Sequence, residues 1–293
     1  MSGYAYYPGC SLLGTGKSYD ESTRAVFEAL GVEFHELENW NCCGATAYSS
    51  IDECTAFALA SRNLALAHRR GEPIVAPCPN CYLVLTKTQK YLQQYPEIRQ
   101  RIEQTLNRLG LQLGDETPVR HPLQVLLETP GLEEIQKRIQ KPLKGLRVVP
   151  YYGCLLARPF PIVEDPYRTT ILEDFIRVTG AEVVPYPYRT RCCGGALTGV
   201  VREAGVRMVH ILLREALRQG AQAIVTTCPL CQFNLEAFQD QALGAFGIQE
   251  RLPVLYFTQL LGLALGLPPE KLGLQRHLVP FRPTFETLQE AVS

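Results

Sequence analysis

The sequence predicts an α/β fold made of two pseudo-symmetric halves, each a small Rossmann-like parallel sheet flanked by helices. Length is the first observation behind this prediction, because a chain of 293 residues corresponds to about two domains. The second is a pattern of five cysteines that occurs twice. The third is the alternation of short apolar segments with helical segments, as in βαβ units. We expect the halves at 1–143 and 144–293, divided within the charged stretch 128–144.

Ten of the eleven cysteines belong to the repeated pattern. Each copy has a single cysteine, an adjacent pair and a Cys-x-x-Cys motif. In both copies 34 residues separate the pair from the motif, while 31 or 37 residues separate the single cysteine from the pair. Such regular spacing indicates a duplicated unit whose thiols meet in space. The two sets are Cys10, Cys42, Cys43, Cys78 and Cys81, and Cys154, Cys192, Cys193, Cys228 and Cys231.

Short strands and helices alternate along the first half. The aromatic segment 4–7 predicts a strand. Apolar residues at helical spacing predict a helix over 18–30 that stops at Gly31, and a second strand is expected over 32–37. The alanine- and leucine-rich segment 51–70 has acidic residues at its start and basic residues at its end, which predicts one long helix.

The remaining apolar segments lead into cysteine motifs. Segment 73–76 is a predicted strand that runs directly into Cys78-Pro79-Asn80-Cys81. In the second half, 147–152 corresponds to 4–7, and 223–226 corresponds to 73–76. Every cysteine motif thus follows a predicted strand. Because ligands bind outside the carboxyl ends of parallel strands, we expect the five thiols of each half to meet at that edge of its sheet.

Metal or redox chemistry is the function class that these patterned thiols favour. Disulfides are disfavoured because the N-terminal segment lacks a secretory signal and the cytoplasm is reducing. Zinc sites and iron–sulfur sites both use Cys-x-x-Cys motifs, but an adjacent cysteine pair is not a usual structural zinc spacing. Five thiolates also exceed the four that zinc or a cubane cluster takes from a protein. We therefore expect metal at all ten positions, with an unusual iron–sulfur cluster favoured over zinc.

Composition excludes other classes of function. Charge is balanced at 29 basic and 29 acidic residues, so nothing favours nucleic acid as a partner. No apolar segment approaches the roughly 20 residues that cross a bilayer. We expect a cytoplasmic protein, with peripheral contact to the cytoplasmic face of a membrane as an option. No dinucleotide-binding glycine motif opens a helix, so the electrons are expected to come from a partner protein.

The two cysteine patterns resemble those of the CCG-domain family, in particular the B subunits of heterodisulfide reductases. The resemblance is carried by Tyr7-Pro8-Gly9-Cys10, by Cys42-Cys43-Gly44 and by both complete cysteine sets, and it is especially close over 4–82. It implies that each set of five cysteines holds one noncubane 4Fe–4S cluster. It also implies that this chain is an oxidoreductase subunit that passes electrons to a disulfide. A ferredoxin-like iron–sulfur subunit and a flavoprotein subunit would be its partners.

Two alternatives remain beside that interpretation. The same family includes the subunit of type E succinate dehydrogenase and other CCG-dependent dehydrogenase subunits, so a quinone is an alternative electron acceptor. The second alternative is a zinc-stabilised interaction module without catalytic activity, with zinc at one of the sites. Because tetrahedral zinc needs only four thiolates, that module would tolerate the loss of one cysteine in each set.

Weaker sequence features have a structural interpretation beside a functional one. Segment 14–18 resembles the end of a phosphate-binding loop, but we favour a turn that shields the metal pocket. Cys54 has no counterpart in the second half and is interpreted as a small core residue. The apolar run 258–267 is only half a membrane span, so a core helix is expected, with quinone binding or membrane docking as the alternative.

One histidine is also singled out by the internal repeat. His121 and Gln124 correspond to Tyr256 and Gln259 of the second half. A capping or core role is favoured for these positions, and hydrogen bonding toward the metal pocket is the alternative.

Overall fold

The computed structural model describes residues 3–45, 48–162 and 169–281. It contains two four-stranded sheets whose strands are all parallel. The first sheet has the order β2-β1-β3-β4 and consists of β1 (Tyr4–Tyr6), β2 (Phe34–Glu36), β3 (Ile74–Val75) and β4 (Val119–Arg120). The second has the equivalent order β6-β5-β7-β8 and consists of β5 (Arg147–Tyr151), β6 (Glu182–Val183), β7 (Ala223–Thr226) and β8 (Val254–Tyr256). The predicted fold class is confirmed.

Helices connect the strands of both sheets. Those of the first repeat are α1 (Gly9–Leu13), α2 (Lys17–Leu30), α3 (Tyr48–Ile51), α4 (Glu53–Arg70), α5 (Pro79–Gln94), α6 (Pro96–Asn107), α7 (Pro122–Glu128) and α8 (Leu132–Lys137). Those of the second are α9 (Ile171–Val178), α10 (Arg202–Arg218), α11 (Pro229–Ala237), α12 (Gln239–Gly244) and α13 (Phe257–Ala264). A short 3₁₀ helix, Leu274–Arg276, follows α13. The 143/144 boundary stays a prediction.

Local signals explain where these helices begin and end. Helix α2 stops because Gly31 adopts the left-handed conformation, with φ of 72°, which glycine reaches without a steric penalty. Helices α5 and α11 begin with a proline at their first position, where the missing N–H has no helical partner to lose.

The long helix expected over 51–70 is confirmed over Glu53–Arg70, and its start lies two residues later than predicted. Asp52 is extended, with φ of −146°, and its carboxylate accepts a hydrogen bond from the Thr55 N–H at 3.1 Å. An aspartate that caps a helix in this way lies outside it, because its side chain satisfies a free backbone donor of the first turn. The long helix α4 therefore begins at Glu53.

The two repeats share a core instead of forming separate bodies. Helix α2 of the first repeat packs along α13 of the second, where Ser22 Oγ and Thr258 Oγ1 form a buried hydrogen bond of 2.7 Å. Residues 257–264 are buried apart from Leu263, which is partly buried, so the apolar run is a core helix as expected. No helix in the described part of the chain has both the length and the apolar character of a membrane span.

Candidate metal centres

The ten patterned cysteines follow the carboxyl ends of strands in both sheets, as predicted. In the first repeat they come after β1, β2 and β3, and in the second after β5, β6 and β7. Because the strands are parallel, these ends lie at one edge of each sheet. Each repeat thereby forms one five-cysteine pocket: the first pocket with the set that starts at Cys10 and the second pocket with the set that starts at Cys154.

In both pockets the equivalent three thiols are buried, and the other two lie toward solvent. The Cys-x-x-Cys cysteines and the second cysteine of each adjacent pair are buried. The single cysteine and the first of the pair lie toward solvent: Cys10, Cys42 and Cys192 are exposed and Cys154 is half-buried. Neighbouring side chains thus diverge, with Cys42 outward and Cys43 inward, where its Sγ is 3.5 Å from that of Cys81. Each pocket offers a buried trio of sulfurs beneath two accessible ones.

A glycine keeps each pocket open to its buried thiols. Gly9 has φ of +66°, and a Cβ atom at this position would lie 2.8 Å from Cys81 Sγ. Its equivalent, Gly153, has φ of +71° and would place a Cβ 3.2 Å from Cys231 Sγ. Both the backbone conformation and the space beside the sulfur require glycine here. This cradle suits a bulky ligand of the thiols.

A tyrosine hydroxyl bonds the backbone directly before each adjacent cysteine pair. The sequence analysis did not identify either tyrosine. Tyr7 donates its hydroxyl to the Asn41 carbonyl at 2.8 Å, and Tyr151 donates to the Arg191 carbonyl at 2.7 Å. Asn41 and Arg191 immediately precede the two cysteine pairs. Tyr151 is fully buried, and burial raises the pKa of its hydroxyl, as do nearby thiols led by Cys231. The sequence signal that could have identified them is the presence of equivalent tyrosines at the ends of β1 and β5.

Backbone donors favour thiolates at the pocket walls. Cys78 precedes α5, and its pKa is lowered to about 7 by the hydrogen bond from Cys81 and, further, by the backbone N–H groups of Cys81 and Asn80 at the helix start. In the second pocket, the N–H of Gly194 lies 3.4 Å from Cys192 Sγ. Such donors stabilise the anionic form that binds metal.

The first repeat contributes to the wall of the second pocket. A Cβ at Gly16 would lie 2.8 Å from Pro229 Cβ, so the backbone between α1 and α2 touches the Cys-Pro-x-Cys motif of the other repeat. Lys17 pairs with Asp20 at 2.9 Å and is not directed at a phosphate. Segment 14–18 is therefore a packing turn beside the pocket, which agrees with the structural interpretation.

The other singled-out residues have structural partners. His121 and Tyr256 each cap a helix, with Gln124 and Gln259 accepting from their respective backbone N–H groups at 2.9 Å. The favoured capping role is confirmed. Cys54 is partly buried on α4, outside the repeated set.

A buried hydrogen-bonded pair of His277 and Glu236 near the second pocket was not predicted. His277 Nδ1 lies 2.8 Å from Glu236 Oε1, and neither side chain is exposed. Glu236 also accepts from the N–H groups of Val254 at 3.1 Å and Leu278 at 2.8 Å. This carboxylate joins α11, β8 and the segment after the 3₁₀ helix. Its partners lie far apart in the sequence, so no local pattern reveals them.

Comparison with known proteins places these pockets in a family. The model of the CCG cysteine-rich domain matches residues 4–86 and 148–236, one match to each repeat. A chain from Wolinella succinogenes, the 8-methylmenaquinol:fumarate reductase membrane anchor subunit, is 32% identical over 94% of this chain and 96% of its own length. The B subunit of a ferredoxin/F(420)H(2)-dependent CoB-CoM heterodisulfide reductase from Methanosarcina acetivorans is 30% identical over 95% and 94%, respectively.

A solved structure shares the fold. The crystal structure of a hypothetical protein from Helicobacter pylori superposes with a TM-score of 0.77 at 15% identity, covering 95% of this chain and 52% of that protein. At this identity the likeness concerns the fold alone. Both family matches contain one complete set of five cysteines, and the relatives above align over nearly the whole chain. The chain belongs to the family of CCG cysteine-rich domain proteins, whose relatives here are subunits of oxidoreductase complexes.

Proposed function

We propose that this chain is an electron-transfer subunit of an oxidoreductase complex and holds one noncubane 4Fe–4S cluster in each five-cysteine pocket. The observation that carries the proposal is the identical division of thiols in both pockets, three buried and two toward solvent, beside a glycine that leaves room at the sulfur. Iron–sulfur clusters supply one-electron oxidation and reduction, with a potential set by hydrogen bonds to sulfur and by solvent exposure.

The arrangement of the sulfurs favours a cluster over a single zinc ion. Zinc binds thiolates at about 2.3 Å in a tetrahedron, so its ligands must converge on one point. Within 3–45, 48–162 and 169–281, no three His, Cys, Asp or Glu side chains do so. The thiols instead form an extended series, in which Cys81 interacts with Cys43 on one side, at 3.5 Å, and with Cys78 on the other. A group of several iron and sulfide atoms fits five thiols of this spread better than one ion does.

The chain's own groups would tune and protect the bound centre. The buried trio of thiols keeps water from the inner side of each pocket. N–H groups directed at sulfur, such as that of Gly194, stabilise extra negative charge and thereby favour the reduced state. The two outer thiols leave the mouth accessible to a reaction partner.

We propose a quinone as the electron acceptor or donor. The second pocket supports this proposal, because apolar side chains lie exposed along its loops. Leu230, inside the second Cys-x-x-Cys motif, is 42% exposed, and Val200 and Val201, soon after the adjacent pair, are 78% and 54% exposed. The likeness to a methylmenaquinol:fumarate reductase subunit points the same way.

A disulfide is the second candidate acceptor. Relatives named as B subunits of heterodisulfide reductases support it, as do the exposed thiols Cys10 and Cys42 at the mouth of the first pocket, which a polar substrate can approach. For either acceptor we propose a flavoprotein subunit and a ferredoxin-like iron–sulfur subunit as partners, since these relatives are subunits of larger complexes.

Metal analysis tests the cofactor. The full chain is purified without oxygen, and iron, acid-labile sulfide and zinc are measured per chain. We expect iron and sulfide in equal amounts in both pockets, half of them lost in Cys42→Ser and half in Cys192→Ser. Cys54→Ser is the matched control and keeps the full amount. Zinc without iron, unchanged by Cys42→Ser, contradicts the proposal and favours the interaction module.

Acceptor binding is tested separately. A water-soluble menaquinone analogue and a small mixed disulfide are each titrated into the reduced protein, and reoxidation is followed by absorbance. We expect the quinone to reoxidise the protein, and Leu230→Gln to weaken its binding while Leu109→Gln, at an exposed leucine of the other repeat, does not. Reoxidation by the disulfide alone favours the second candidate.

A further inference from the structure

A stacked pair of tyrosines, one from each repeat, lies in the shared core close to both Cys-x-x-Cys motifs. The ring centroids of Tyr19 on α2 and Tyr256 at the end of β8 are 4.3 Å apart, and the ring planes differ by 3°. Both side chains are completely buried. The two π systems therefore overlap face to face in the shared core, where water does not separate them.

Each ring lies within electrostatic reach of both pockets. Burial raises the pKa of both hydroxyls well above the ordinary value, and the thiols Cys228 and Cys78 raise both further. Cys78 and Cys228 are the first cysteines of the two Cys-x-x-Cys motifs, one in each pocket. Contacts agree with this proximity: the Tyr256 hydroxyl donates to Gln232 Oε1 at 3.4 Å, and Gln232 directly follows Cys231 of the second motif.

His121 ties this pair to the backbone of both motifs. Its Nε2 is 3.4 Å from the Tyr19 hydroxyl and 3.0 Å from the Pro77 carbonyl, and the Thr227 carbonyl also interacts with the ring. Pro77 and Thr227 are the residues directly before Cys78 and Cys228. One imidazole thus fixes the tyrosine hydroxyl relative to the two equivalent strand ends.

Packing around the pair holds the rings in place. Phe257 meets Tyr19 edge-on, with centroids 6.4 Å apart, and the Ser22–Thr258 hydrogen bond joins the two helices one turn further on. The turn at Gly16, which begins α2, touches Pro229 of the second motif. A single rotamer at each ring follows from this close packing. Both buried hydroxyls have polar partners, His121 Nε2 for Tyr19 and Gln232 Oε1 for Tyr256, which offset the cost of burying them.

We propose that the stacked rings of Tyr19 and Tyr256 form the electron-transfer bridge between the two pockets. This inference rests on the proposed function, since it needs a redox centre in each pocket. One electron leaves the reduced centre of one pocket and enters the oxidised centre of the other. No bond is formed or broken, and both hydroxyls stay protonated. Overlapping aromatic rings conduct electrons better than saturated side chains, so electrons that arrive singly can be collected for a two-electron acceptor.

Electron paramagnetic resonance of the anaerobic full chain tests the bridge. In the protein with both centres reduced, we expect an exchange splitting in addition to the dipolar splitting, which depends on the distance and orientation of the centres and not on the side chains between them. Tyr19→Phe and Tyr256→Phe keep the rings and should keep the exchange splitting. Tyr19→Leu and Tyr256→Leu should lose it. Tyr186→Leu is the matched control, because Tyr186 is a buried tyrosine whose hydroxyl bonds the Leu212 carbonyl within the second repeat.

Iron and sulfide content, measured on the same samples, separates the two proposals. Exchange splitting that persists in Tyr19→Leu with full iron content overturns the bridge and leaves the proposed function intact. Wild-type protein without iron and sulfide overturns the proposed function and the bridge together. The stack needs both rings, so a leucine at either position removes it. If Tyr19→Leu does not bind iron, Tyr256→Leu provides the same test. A splitting lost in the leucine variants but kept in Tyr186→Leu supports the bridge.

Discussion

Under the proposed function, replacing Gly9 with alanine should remove the metal of the first pocket only. The new Cβ would lie 2.8 Å from Cys81 Sγ. Ordinary contacts lie at about 3.5–4.0 Å, so the sulfur has to retreat by roughly 0.7–1.2 Å. Metal–ligand distances tolerate changes of only about 0.2 Å. The displacement is several times larger, and we therefore expect Gly9→Ala to lose the first centre.

Gly31→Ala provides a matched control for backbone strain. Its φ of +72° is close to the +66° of Gly9, but nothing lies within 4 Å of the added Cβ. A left-handed alanine costs about 1–2 kcal/mol at either position. Both variants should therefore lose a few degrees of thermal stability without metal, and Gly9→Ala somewhat more, because its Cβ also displaces Cys81 Sγ.

The assay compares iron, sulfide and melting temperature in the two variants after anaerobic assembly. Gly31→Ala should hold the wild-type amount of metal, and Gly9→Ala about half of it, since the second pocket is untouched. Full metal content in Gly9→Ala would refute the reasoning. It would mean that Cys81 is not a ligand, or that the pocket can rearrange around the new Cβ without losing its metal.

Three further predictions concern the surrounding structure. Glu236→Ala removes the buried acceptor of the Val254 and Leu278 N–H groups and should lower the free energy of unfolding in urea titrations by about 1–3 kcal/mol for each donor left unpaired, with Glu236→Gln losing less; equal losses would contradict a role for the retained acceptor. Burial lowers the pKa of His121 to about 3, below the value near 6.5 of the unfolded chain, so stability should fall as the pH drops from 6.5 toward 3. His121→Gln should flatten that decline in urea midpoints. Gly16→Ala should cost about 1–3 kcal/mol by overpacking and loosen metal in the second pocket, whereas Gly244→Ala, at a helical glycine with nothing within 4 Å, should not.

The architecture and the grouping of the cysteines were predictable from the sequence because both depend on repeated local signals. Strand-to-cysteine order places each thiol at a carboxyl end of a parallel sheet, whatever the details of packing. The helix break at Asp52 was also within reach, since an aspartate three residues before Thr55 is a capping signal. The interpretation gave more weight to the helical spacing of the alanine and leucine residues than to this capping signal.

Features that depend on long-range packing were not predictable. The hydrogen bond between Tyr7 and Asn41 joins residues 34 positions apart, and the buried pair Glu236–His277 joins residues 41 apart. Which thiol of an adjacent pair turns inward also depends on the strand beneath it. Such choices arise from the three-dimensional neighbours of each side chain, for which a single sequence has no marker.

The capping positions at the ends of β4 and β8 show how far the two halves have diverged since the duplication. His121 occupies this position in one half and Tyr256 in the other, and only the tyrosine stacks on Tyr19. A protein assembled from two copies of the first half would carry histidine at both places and would lack the stacked partner. The halves are therefore complementary at this position, since the stacked pair needs one residue from each half.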